Sequence, residues 1–237
     1  MGTVYRLSLR QLTGKWRLAI MTVLAVLPII IAAIMLGARE APSLQEFETG
    51  VMGAMLLGSI TPLVVLAIAA AAFANEVEDR TLANLVLSPL RRWEIAIPKL
   101  LATITIAAPF IAASAFATSY IAYLGDWRAV FAVTLSSVIG VALYSAAFVF
   151  LGLITTYAIG IGLLYIVVWE GFFSGFVAGA RLLSIQHYAI ALMHGIDPRR
   201  FAFDNHLGFL AASIITLVLF AGFAWLSVRR LKTMDVP

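Results

Sequence analysis

AVFAVTLSSVIGVALYSAAFVFLGLITTYAIGIGLLYIVVW, residues 129–169, runs for 41 residues without a charge. A helix needs about 20 apolar residues to cross the hydrocarbon core of a bilayer, so this run is too long for one crossing and right for two. Thr155 and Thr156 supply a short polar turn, and the predicted break lies near Leu153–Tyr157.

The same measure applies outward from this run. Leu18–Ala38 is the first apolar stretch, and it is longer than the roughly 7–15 residues of a signal-peptide core, so it reads as a retained span. Thr49–Asn75, Leu100–Gly125 and Leu207–Val228 are uncharged over 27, 26 and 22 residues. The expected architecture is all-α and polytopic, with six transmembrane helices near 18–38, 51–74, 100–123, 130–152, 157–175 and 207–228. They form a single transmembrane domain over 1–237. Composition agrees: 62% of residues are hydrophobic, 12% are charged and the mean hydropathy is +1.01, where soluble domains carry about 25% charge. The absence of cysteine excludes disulfides and Cys-ligated metal. A net charge of +4 does not suggest nucleic acid. Pro28, Pro62 and Pro109 fall inside the first three spans and imply local kinks.

Lys and Arg set the orientation. With both termini and residues 75–99 in the cytoplasm, that side holds 11 basic residues against five outside (Arg39, Arg128, Arg181, Arg199 and Arg200). The expected location is therefore the cell inner (plasma) membrane, multi-pass, with both termini cytoplasmic and Glu40–Glu48 outside. Trp16, Trp93, Trp127 and Trp225 fall at span ends, as interfacial anchors do. Residues 1–17 carry Tyr5, Leu9, Leu12 and Trp16 on one helical face with Arg6, Arg10 and Arg17 beside it, the pattern of an amphipathic helix lying in the interface. Residues 171–206 form the longest outside segment, apolar and then polar, which suggests re-entrant or capping helices. Gly171, Gly175 and Gly179 recur every four residues there, either for close helix packing, including against a dimer partner, or for a flexible re-entrant turn. Glu170 adjoins the 41-residue run. It is either a polar contact or proton-sensitive gate in a translocation path, or an interfacial carboxylate hydrogen-bonded locally. His187, His194 and His206 lack the spacing of a compact metal motif.

Between the second and third spans stands a charged island, NEVEDRTLANLVLSPLRRWEIAIPK, residues 75–99, with eight of the 28 charged residues. Acids lead, Leu82, Leu85 and Val86 recur at helical spacing, and Pro89 stops the pattern. The pattern predicts a small amphipathic helix held at the membrane surface. No P-loop is present: of Lys15, Lys99 and Lys232, only Lys15 follows Gly, and Trp16 comes next. An ATP-driven role would therefore need a separate ATPase, gripping this chain on its cytoplasmic face.

The island resembles the cytoplasmic coupling segment of permease subunits of ATP-binding-cassette exporters of the second type. Glu76 and Glu78, Thr81-Leu82, the hydrophobic pair, Pro89, Arg91, Glu94-Ile95 and Lys99 carry the resemblance, and Asn84 and Val86 depart from it. The resemblance implies ATPase coupling through Glu76, Glu78, Arg80, Thr81, Leu82, Leu85, Val86, Pro89 and Arg91. It implies two ATPase subunits that hold the ATP and Mg, with no cofactor in this chain, and a second copy or a related permease as partner. The apolar spans suggest an amphiphilic or hydrophobic substrate such as a drug, antibiotic or lipid-like molecule. The alternatives are an ion-gradient-driven secondary transporter and an intramembrane enzyme; for the latter no HExxH, Gly-x-Ser-Gly with a partner His, or carboxylate pair is found.

Overall fold

The computed structural model describes residues 2–38, 43–73, 91–173, 178–201 and 207–233, and every described element is helical. In chain order these are α1 (Gly2–Leu12), α2 (Lys15–Gly37), α3 (Leu44–Phe73), α4 (Trp93–Ala122), α5 (Trp127–Ile154), α6 (Ala158–Leu164, continuing as a π-helix over Tyr165–Phe173), α7 (Ile185–Ile196) and α8 (Phe209–Thr233). A 3-10 turn at Ala178–Leu183 precedes α7. Five of these, α2, α3, α4, α5 and α8, are long and apolar enough to cross a membrane.

α3 is the central post of the bundle. Its most apolar window is 83% buried, against 22% for α2 and 6% for α8; α2, α4 and α5 pack against it, while α8 lies at the periphery against α4, α5 and α7. Lipid tails are as apolar as Leu, so close contact between spans needs small residues. At Gly152 of α5, a Cβ would stand 2.8 Å from the Ala70 carbonyl oxygen of α3. At Gly162 of α6 it would stand 2.3 Å from Leu66 Cδ1. Glu48–Ile60 of α3 is π-helical, and the wider turn admits the Gln186 amide from α7, which donates to the Gly53 carbonyl at 2.9 Å. Gly58 makes room for that amide, since a Cβ there would stand 2.7 Å from it.

Several boundaries differ from those expected. α3 starts at Leu44, not 51, because Ser43 and Glu46 form a capping box: the Ser43 N–H donates to the Glu46 carboxylate at 3.0 Å and Ser43 Oγ accepts from the Glu46 N–H at 3.3 Å. α4 starts at Trp93, not 100, with Glu94 in its first turn and Lys99 inside it. α5 ends at Ile154 and α6 begins at Ala158, which puts the break at the polar turn. The fifth expected span, 157–175, is not one long helix among the described residues: the apolar helix there, Ala158–Phe172, has 15 residues, short of a crossing. The chain is drawn back near Glu170 by bonds to Ser184 and to the start of α7.

The amino-terminal helix differs as well. It ends at Leu12, and Lys15, Trp16 and Arg17 belong to α2 because extended backbone at Gly14 separates the two. Its apolar face meets protein: Tyr5 and Leu9 pack on the main core, Leu12 is buried in it, and Tyr5 Oη donates to Thr105 Oγ1 of α4 at 3.0 Å. Between α4 and α5 the chain turns at Gly125, whose φ of 90° suits glycine.

The close crossing of α5 and α3 yields a direct test. Gly152→Ala is expected to destabilise the protein by about 1–3 kcal/mol, since the intruding methyl meets backbone that cannot rotate away. Gly160→Ala, where a Cβ would have nothing within 4 Å, is expected to leave stability unchanged or slightly raised. Thermal unfolding in detergent distinguishes them.

Candidate functional site

Residues 74–90 lie outside the described residues, and with them Glu76, Glu78, Arg80, Thr81, Leu82, Leu85, Val86 and Pro89. The island enters the described structure at Arg91, which is exposed and whose N–H donates to Glu94 Oε2 at 3.1 Å, closing the first turn of α4. Lys99 follows two turns later. It is 2% exposed, its ammonium donates to the Ala72 carbonyl, and it stands 4.4 Å from the centre of the Phe73 ring. The two flanks of residues 74–90 are therefore joined by one buried cation.

The second cluster is built around Glu170. Its side chain is 4% exposed, in apolar surroundings where an unmatched carboxylate would cost several kcal/mol. It is matched from three elements. Tyr144 Oη of α5 donates at 3.0 Å and Tyr165 Oη of α6 at 2.8 Å. Ser184 Oγ, the Ile185 N–H at 2.9 Å and the Gln186 N–H at 3.3 Å donate from the start of α7. A helix start offers unpaired N–H groups and the positive end of its dipole, so a carboxylate fits there. Ser184 caps the same helix, accepting the His187 N–H at 3.1 Å.

At its other end α7 meets the opposite charge. Arg128 of α5 donates through Nε and Nη2 to the Ile196 carbonyl at 3.1 and 2.9 Å, where a helix leaves carbonyls free. Beside it, Glu48 of α3 accepts from Tyr123 Oη at 3.3 Å and lies 3.7 Å from Arg200 Nε, while the Arg200 guanidinium covers the Tyr123 ring at 4.7 Å. His194 Nδ1 contacts the Phe201 carbonyl.

The expected site residues thus meet different fates. Glu170 is hydrogen-bonded on all sides to protein. It lines neither of two apolar clefts: about 280 Å³ among Ile139, Leu192 and Thr216, and about 330 Å³ among Thr22, Pro109 and Ser114. Gly171 is exposed, and among the described residues a Cβ on it would meet only the Ile166 carbonyl of its own helix at 3.5 Å. Gly175 lies outside the described residues, and Gly179 falls in the 3-10 turn, a separate element from the helix holding Gly171. The close helix contacts come instead from Gly58, Gly152, Gly162 and Gly195, whose spacing carries no four-residue signal. Tyr144 and Tyr165, the partners of Glu170, sat unremarked in the uncharged run; their hydroxyls were the available clue.

Tyr165→Phe is expected to cost about 1.5–3 kcal/mol, as for loss of a hydrogen bond to a charged group, and Glu170→Ala more, because it removes the acceptor shared by five donors. Gly171→Ala is expected to be neutral. Melting temperatures of the purified variants measure all three. No protein-family model and no curated protein matches this chain, so its function has to be read from its own residues.

Proposed function

We propose that this chain is the membrane-spanning permease subunit of an ATP-driven exporter, coupled to separate ATPase subunits through residues 75–99. One observation carries the reading: a patterned, charged segment sits between two long apolar helices in a chain that has no nucleotide-binding motif of its own. The segment follows directly from α3, the most buried helix, so a push on it acts on the middle of the bundle. On this reading there are six crossings, the fifth over the shorter apolar helix that starts at Ala158, so both termini and the segment share one side, and the bias of Lys and Arg makes that side the cytoplasm. Two such subunits, identical or related, enclose the path between them. Two ATP-binding-cassette ATPases hold ATP and Mg and dock on the two segments. Leu82, Leu85 and Val86 fill a groove in the ATPase while Glu76, Glu78 and Arg80 fix the orientation. The apolar spans suit an amphiphilic or hydrophobic substrate.

The buried Glu170 favours a second reading, a secondary transporter driven by an ion gradient. Transport that survives ATP depletion and follows a gradient would select it. On the exporter reading, an ATPase encoded beside this chain co-purifies with it. Charge reversal at Glu76 and Glu78 should abolish ATP-dependent export, and serine at both Leu82 and Leu85 should uncouple hydrolysis from export while the chain still inserts. Failure of every neighbouring ATPase to associate, or unchanged export in these variants, would refute the assignment.

A further inference from the structure

Gly53 and Gly58 of α3 face the same neighbouring helix. At Gly58 a Cβ would stand 2.7 Å from the side-chain amide of Gln186, and at Gly53 it would stand 3.7 Å from Ile190 Cδ1. Gln186 and Ile190 are four residues apart on α7, so they share one face of that helix. The two glycines are five apart. In an α-helix of 3.6 residues per turn, residues five apart point about 140° away from each other, and one neighbour covers only one of them. In a π-helix the hydrogen bond joins residue i to residue i+5, which brings the two to one face. Glu48–Ile60 has that form, and the pattern closes with the Thr61 N–H donating to the Leu56 carbonyl.

α7 therefore packs on a face of α3 that only the π register creates. The Gln186 amide makes the fit specific: it occupies the space that Gly58 leaves and donates to the Gly53 carbonyl at 2.9 Å. A π-helix is rare, and a sparsely populated backbone form persists where the surrounding structure over-determines it. Local causes do not suffice here. Pro62 clashes with the carbonyl about four residues back, which accounts for the last π turn but not for a register that begins at Glu48. The Ser59 and Thr61 hydroxyls donate to carbonyls five residues back, at 3.1 and 2.8 Å. They belong to α3 itself, so they follow its register and do not set it.

We propose that α3 carries a register switch set by α7: Gln186 and Ile190, seated on Gly58 and Gly53, hold Glu48–Ile60 in the π form, and withdrawal of α7 lets the segment relax to an α-helix. Relaxation lengthens α3 and turns its two halves relative to each other. A shift of one short helix thus becomes a rearrangement of the central one. The ends of α7 are held by Glu170 and Arg128, which are the contacts a trigger has to break. The switch depends on the fold alone, not on an ATPase.

The chain has no cysteine, so nitroxide pairs can be placed on the full chain in lipid nanodiscs and their separation read by pulsed electron resonance. Leu44→Cys and Ala67→Cys, exposed and half-buried, bracket the π segment. Phe131→Cys and Ile154→Cys, both exposed on α5, form the control pair. Gln186→Ala removes the wedge, and Gly58→Ala fills its seat with a methyl. Each should lengthen the α3 distance by roughly 3–5 Å, because a wide π turn rises less per residue than the 1.5 Å of an α-helix, and leave the α5 distance as in wild type. Gly53→Ala adds the same methyl where, among the described residues, it meets the Glu48 carbonyl at 3.5 Å and Ile190 at 3.7 Å, and it should change neither distance. An α3 distance unchanged in either Gln186→Ala or Gly58→Ala overturns the switch. So does an equal lengthening in Gly53→Ala, which would make helix propensity and not α7 the cause. Where the α5 distance also changes, that variant has lost its fold, and Gln186→Met, which keeps the bulk without the donor, decides: a longer α3 supports the switch and a wild-type distance overturns it.

Discussion

A charge inside an apolar bundle must be matched by its neighbours, because removing an ion from water costs several kcal/mol that apolar packing cannot return. Among the described residues, three charges are nearly fully buried in helices that belong to the bundle: Glu48, Lys99 and Glu170. Each joins residues that lie far apart in sequence. Glu170 gathers α5, α6 and α7, Lys99 gathers α3 and α4, and Glu48 gathers α3 with Tyr123 and Arg200. The places where the helices meet are in this sense the places where their charges are satisfied.

α7 illustrates how completely a short helix can be held this way. A helix of 12 residues has unpaired N–H groups at one end and unpaired carbonyls at the other. Glu170 meets the first set and Arg128 the second, each with the sign that the helix dipole favours. Between them Gln186 enters the π-helical part of α3. A helix too short to cross a membrane is thereby fixed to two long ones, α3 and α5, and to α6. Hydroxyls in the long helices are satisfied more locally, as when Thr103 and Ser137 donate to carbonyls four residues back.

α3 holds the central place because its neighbours can come close. Ala70 and Leu66 on its surface face glycines at 152 and 162, which brings backbones near enough for dispersion and close packing to hold apolar helices together.

Uncharged length is a local property, so the helical class, the long apolar helices and the break at Thr155–Tyr157 could be read from composition and run length. The ends of the helices could not. Charge-free runs stop at Glu48 and Lys99, whereas the helices carry on through them, because each charge has a partner supplied by a residue distant in sequence. Glu170 was visible as an isolated acid beside an apolar run, but its donors come from residues 144 to 186, and no spacing rule links Tyr144 to Ser184. The glycine stripe was periodic yet leads to no shared helix face, and the glycines that admit neighbours are irregularly spaced because the partner helix sets their positions. By itself the sequence determined that the chain forms long apolar helices around a charged island, since that follows from hydropathy alone. Only the tertiary structure decided how far those helices extend, which helix is central and which charges are buried, because a charge can enter an apolar bundle only when another part of the chain arrives to match it.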